Sequence, residues 1–124
     1  AMQEKTGLLA YAPLAAGTLT GKYLDGQLPA GSRRAIDNRA SRYDRKGVDE
    51  IVRGYIDIAA RYGFDPAVMA HAFVNTRPFL TANIIGATRT EHIETALASL
   101  DVTLPPACLA DIEALHSRHP VPCP

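Results

Sequence analysis

The stretch from Ala10 to Tyr23, AYAPLAAGTLTGKY, decides how the rest of the chain is read. It is too rich in Gly, Ala and Thr for a helix and too closely punctuated for a strand, so it reads as a turn that leaves a strand at Pro13. It also sets a lysine directly after a glycine. A phosphate loop of the NTPase kind needs four residues between its glycines and a Ser or Thr after the lysine, because that hydroxyl meets magnesium. Here three residues separate Gly17 from Gly21 and Tyr23 follows Lys22, so that reading fails on both counts. A more general one survives: an apolar strand, a Pro turn, small residues that let backbone approach a ligand, and then a cation.

Upstream, GLLAYA (Gly7 to Ala12) is a short continuous apolar run, as expected of a strand buried on both faces in a parallel sheet. Downstream, a long polar segment runs to about Lys46, after which Val48, Ile51, Val52, Tyr55, Ile58, Ala59 and Tyr62 recur at helical spacing. Gly63 suits the left-handed position that ends such a helix. Asp65 then reads as an N-cap with Pro66 at the first helical position, and AVMAHAFVN is apolar nearly all round until Pro78 stops the pattern. That helix is expected to be buried, with His71 as a satisfied core residue rather than a ligand.

A second strand is expected over ANIIGA, Ala82 to Ala87. It leads into Thr88-Arg89-Thr90-Glu91, which has the form of a capping box, and then into Ile93, Ala96, Leu97 and Leu100 on one helical face. A last helix, about Pro106 to Ser117, carries Leu109, Ile112 and Leu115. No internal repeat points to a solenoid.

With 13 acidic and 13 basic side chains the chain carries no net field, which argues against a dedicated nucleic-acid surface. No apolar run is long enough to span a bilayer and no charged-then-apolar leader precedes the first strand, so a cytoplasmic protein without membrane insertion is expected. Cys108 and Cys123 make no dense disulfide framework, and a reduced compartment is the simpler account. Their spacing with His116 and His119 matches no standard zinc site, and the Pro-spaced end reads as a solvated tail.

Two parallel strands joined by a helical crossover need further strands beside them, because unpaired edges are poorly left to water. The chain offers no other good strand. Its 124 residues are about half of the ~250 typical of a (β/α)8 barrel, so it reads as part of a larger α/β protein, and the short lead before the first strand agrees with a fragment.

AYAPLAAGTLTGKY, PAGSR (Pro29 to Arg33), GFDPAVMAHAFV and NIIGATRTEHIETAL (Asn83 to Leu97) resemble, in order, the C-terminal third of aldo-keto reductases, and are most similar to the Tas-type and potassium-channel β-subunit branch. The resemblance covers essentially the whole chain. It implies that residues 1–124 form a single C-terminal portion of a TIM barrel, incomplete on its own, with GLLAYA as strand seven, ANIIGA as strand eight and the helices outside. It also implies NADP(H) as cofactor and a small carbonyl compound as substrate of the parent protein.

Carried over position by position, the resemblance places Tyr11 against the nicotinamide, where two flat rings stack. Pro13, Leu14, Gly17, Thr20 and Lys22 then line the pyrophosphate, with backbone amides, a hydroxyl and a cation. Gly86, Thr88 and His92 match cofactor positions at the helix start that faces the 2′-phosphate, and Arg89 is adjacent to them. Two positions depart: His92 stands where the family often has Arg or Gln, and Ala96 where an Asn commonly reads the adenine edge. The segment Arg33 to Lys46 carries six basic and two acidic residues in a stretch expected to lack regular structure, and a loop that long tends to be a lid. The family has a cofactor-covering loop here, and Arg33 matches its phosphate-facing arginine.

The proton-donating tyrosine of that family, with its lysine, histidine and aspartate, lies in the N-terminal part of the barrel, so no catalytic residue is assigned here. Three functions are open: a piece of an NADP-dependent reductase, a cofactor-binding regulatory subunit, or an inactive truncated product. The fragment alone is expected to be inactive and to seek a partner, either the missing barrel half or a second copy of itself.

Overall fold

The computed structural model of the chain describes residues 3–37, 42–120 and 123. Two strands, β1 (Leu8–Tyr11) and β2 (Leu80–Ile84), pair in parallel, with Leu9 opposite Ala82 and Tyr11 opposite Ile84. Between them run a short helical turn α1 (Arg33–Ile36) and two full helices, α2 (Val48–Arg61) and α3 (Pro66–Asn75). After β2 come α4 (Thr90–Ala98) and α5 (Pro106–Arg118). The chain is therefore α/β as expected, with no closed barrel among the described residues.

The helix signals around residue 65 act as read. Asp65 accepts from the amides of Ala67 and Val68 at 2.8 and 3.1 Å, occupying two of the donors that a helix start leaves open. Gly63 has a φ of 75°, and the amides of Gly63 and Phe64 return to Ala60 and Ala59 to close the end of α2. The apolar faces of α2, α3 and α5 meet in one core built on Ile58, Met69, Cys108, Ile112 and Leu115. At Gly54 a β-carbon would lie 2.9 Å from Leu115 Cδ2, so that glycine lets α2 and α5 approach closely.

Strand and turn boundaries differ from the sequence expectation. β2 starts two residues earlier than Ala82 and ends at Ile84, because it extends only as far as β1 can pair with it; Ile85 to Ala87 lie beyond the strand without regular structure. β1 ends at Tyr11 since Ala12 has a φ of 58° and leaves the extended region. The strands are not buried on both faces: Leu8, Leu9, Tyr11 and Ile84 are exposed. The Thr88–Glu91 capping box does not form. The N-cap is Arg89, without a side-chain cap, so Thr88 stands one residue too early for the reciprocal pair. The segment after Tyr23 also holds more structure than expected, in a 3₁₀ turn at Leu24–Gly26 and in α1; Arg39, one of its basic residues, lies outside the described residues.

His71 is buried, with its Nδ1 3.5 Å from Asn83 Nδ2. Asn83 also donates to Asn75, and Asn75 to Ser99, so a half-buried polar chain ties β2 to α3 and to the residue that follows α4. Both cysteines are free thiols, Cys108 in the core and Cys123 half-buried. Among the described residues no helix is long and apolar enough to cross a membrane.

Candidate functional site

Parallel pairing puts the carboxyl ends of β1 and β2 side by side, so the turn after each strand opens at the same end of the sheet. In α/β folds that end is where ligands bind, because loops and helix starts converge there. The first turn is unusual in its backbone. Ala12, Ala15 and Ala16 have φ of 58°, 49° and 56°, a left-handed conformation that costs a residue with a β-carbon about 1–2 kcal/mol. Strain of this kind clusters at functional sites. Gly17, at φ 88°, has a second reason to be glycine: a β-carbon there would lie 2.9 Å from Lys22 Cε and 3.0 Å from Nζ. Lys22 thus folds back over the turn, its ammonium also 5.2 Å from the centre of the Tyr23 ring.

Thr20 and Thr18 hold the turn from inside. Thr20 Oγ1 donates to the Gly17 carbonyl at 2.8 Å and accepts from the Lys22 amide at 3.4 Å. Thr18 Oγ1 donates to the Ala15 carbonyl at 2.7 Å. Each hydroxyl proton is therefore spent within the turn, and Thr20 in this conformation shapes the turn rather than offering a donor outward. Pro13 and Leu14 are half-buried where the turn leaves the strand, and Tyr11 at the strand end is 68% exposed.

At the second turn Gly86, Thr88, Arg89 and His92 are all exposed. The Thr88 amide donates to His92 Nδ1 at 3.4 Å, which curls the turn onto the first residues of α4. The loop before α1 reaches across to it: a β-carbon on Gly31 would sit 4.0 Å from Arg89 Nη2. Ser32 caps α1 by accepting from the Ala35 amide, and Arg33 follows it, exposed. The residues predicted from the two turns and from the loop are thus brought to one end of the sheet.

Three residues of this region were not singled out in the sequence. Arg34 stacks its guanidinium 4.3 Å from the centre of the Tyr23 ring and donates from Nη2 to Thr18 Oγ1 at 3.1 Å. Tyr23 and Thr18 are both buried. Tyr23, an aromatic closing a run of small residues, was a findable anchor; nothing local distinguishes Arg34 from Arg33.

A cavity lies to one side of this cationic end. An apolar groove of about 560 Å³ lies between β1, α3 and α5, lined by Met69, Phe73, Ile112 and His116 among others, with Tyr11 and Pro13 at its edge. Lys22, Arg33 and Arg89 do not line it. The groove and the cationic end are distinct places that share the strand end.

The family model for the aldo/keto reductase family matches residues 2–117. The chain is 45% identical over 121 residues to Protein tas of Escherichia coli, an alignment covering 98% of this chain and 35% of that protein. It is 37% identical over 119 residues to a probable voltage-gated potassium channel subunit beta of Oryza sativa, covering 92% and 36%. An aldo-keto reductase of Babesia bovis is 38% identical over 109 residues, covering 81% and 38%. The chain spans little more than a third of the length of these curated relatives. A match of that extent, joined to two parallel strands with a strained turn and cations at their carboxyl ends, makes the chain a member of the aldo/keto reductase family.

Proposed function

We propose that the whole protein transfers hydride between NADP(H) and an aldehyde or ketone, and that this chain supplies the cofactor-binding end of a (β/α)8 barrel, β1 and β2 serving as strands seven and eight. The observation that carries the reading is the convergence of the two strand-end turns, with Lys22 folded over Gly17 and the Gly31 loop drawn against Arg89. The donor set fits a dinucleotide: a lysine for the pyrophosphate, arginines able to fork onto a phosphate, a glycine where backbone must come close, and a tyrosine at the strand end.

In this reading Tyr11 presents its ring to the nicotinamide. Pro13, Leu14, Gly17 and Lys22 border the pyrophosphate, and Thr20 keeps the turn in shape beneath it. Arg33, Gly86, Thr88, Arg89 and His92 surround the 2′-phosphate. When bound, NADPH supplies the hydride; the proton comes from groups outside this chain, so the chain alone reduces nothing. The apolar groove, the exposed strand edges and the apolar face of α4 are where the rest of the barrel packs. We place the protein in the cytoplasm, where free thiols such as Cys108 persist. A second reading, a cofactor-binding regulatory subunit, is favoured by the likeness to channel β subunits, and differs in whether bound NADPH is turned over.

Titrating the full-length protein with NADPH and NADH, followed by nicotinamide fluorescence, tests the site. Lys22→Ala should weaken both nucleotides, about tenfold or more for a lost charge-assisted contact. Arg33→Ala and Arg89→Ala should weaken NADPH more than NADH. No binding, or equal losses for both nucleotides at both arginines, would remove the assignment. Oxidation of bound NADPH by a panel of aldehydes and ketones separates reductase from regulatory subunit.

A further inference from the structure

We propose that Arg34 is a latch that holds residues 29–36 across the first strand-end turn, a positioning residue that governs how slowly the dinucleotide leaves. The proposal rests on the cofactor reading above and assigns a role that neither the turn nor the loop fills by itself.

Three contacts converge on this one residue. Its backbone amide donates to Tyr23 Oη at 3.5 Å, its guanidinium lies 4.3 Å from the centre of the same ring, and Nη2 donates to Thr18 Oγ1 at 3.1 Å. The receiving end is rigid, since Tyr23 and Thr18 are 3% and 5% exposed. Its polarity is also set in advance. The Thr18 hydroxyl proton is committed to the Ala15 carbonyl, so the oxygen faces Arg34 as an acceptor.

The latch fixes more than its own position. Lys22 Nζ lies 5.2 Å from the centre of the same Tyr23 ring, so the pyrophosphate lysine and the loop share one anchor. Arg33, the neighbouring residue, is left exposed, while Gly31 in the same loop approaches Arg89. Where Arg34 docks therefore sets where Arg33 stands relative to Lys22 and Arg89. As a stabilising device the arrangement is poor, because Arg34 Nε is buried without a hydrogen-bond partner among the described residues, and an unreturned desolvation is a cost. Its contribution is geometric.

The test measures nucleotide release from the full-length protein by stopped-flow nicotinamide fluorescence, and amide hydrogen exchange over residues 29–37 without nucleotide. Arg34→Ala should speed release about tenfold, the order expected for losing a stacked and hydrogen-bonded cation. It should do so equally for NADPH and NADH, because the latch does not read the 2′-phosphate. Thr18→Val, which keeps the shape but removes both the acceptor for Arg34 and the bond to Ala15, should reproduce part of the effect. Arg34→Lys, which keeps the charge without the flat fork, should fall between. Exchange over the loop should quicken in the same order.

Unchanged release with Arg34→Ala overturns the proposal, as does a loss confined to NADPH, which would make Arg34 a direct phosphate contact. If the full-length protein binds neither nucleotide, the cofactor reading falls and the role in release falls with it; loop exchange then shows only whether Arg34 anchors residues 29–36, and unchanged exchange in Arg34→Ala removes that anchor as well. Should Arg34→Ala fail to fold, Thr18→Val and Arg34→Lys carry the same comparison.

Discussion

The two sides of this molecule are finished to different degrees. On the side of α2, α3 and α5, Cys108 and Ala59 are completely buried, and Ile112, Met69 and Leu115 close around them. On the side of the strands and α4, Leu9, Tyr11, Ile84, Ile93, Leu97 and Leu100 remain exposed, and α4 buries none of its own residues. A helix hairpin and a third helix can seal a core among themselves, since their backbone hydrogen bonds are internal. Strands cannot, because each leaves one edge and both faces to be covered by something else. The contrast teaches that the helices bury a core among themselves and leave only the groove between α3 and α5 open, whereas the strands and α4 at the proposed site bury little of their own apolar surface.

The largest effect should come from breaking the sealed side. Ile112→Ala removes a buried side chain from the contact of α2 with α5, and should lower the stability of the full-length protein by about 2–5 kcal/mol in urea or thermal unfolding. Leu97→Ala sharpens the contrast. At 58% exposure in this chain it should cost little if the face stays open, and an amount close to that of Ile112→Ala if the rest of the barrel covers it, which is the outcome expected here.

A middle-sized effect is expected at the start of α3. Asp65→Ala leaves the amides of Ala67 and Val68 without their acceptor and should cost about 1 kcal/mol, with Asp65→Asn or Asp65→Ser recovering much of it. An equal loss in all three would mean that the carboxylate acts by something other than capping.

The smallest effect is one of pH, at the seam between the two sides. Burial pushes the His71 imidazole below its ordinary value of 6.5, favouring the neutral form in the folded chain. Below that ordinary value the unfolded chain takes up the proton more readily than the folded one, so stability is full above it and declines as the pH falls through it. His71→Gln should flatten this part of the stability profile. An unaltered slope would show that other groups produce it.

What could be read in advance follows the same division. Asp65, Pro66 and Gly63 act through bonds to residues a few positions away, so their roles are legible locally, and the helices they bound were legible with them. The ends of the strands were not, because β2 stops where β1 stops, at Ile84 opposite Tyr11, and that limit is set by a partner 73 residues distant in sequence. The Thr88–Glu91 pattern failed for a related reason: where α4 begins depends on how the chain leaves the sheet.

At the proposed site, the glycine and lysine of the first turn stood out by residue type alone. Their closeness did not, because Lys22 lies over Gly17 only through a turn built on three alanines in a conformation that alanine does not prefer. The sequence by itself determined α2, α3 and α5, the signals at Gly63 and Asp65, and the family pattern, since each rests on local spacing. The docking of Arg34 rather than Arg33 on Thr18 and Tyr23 was decided only by tertiary structure, because two adjacent arginines differ in nothing but the direction in which the folded backbone points them.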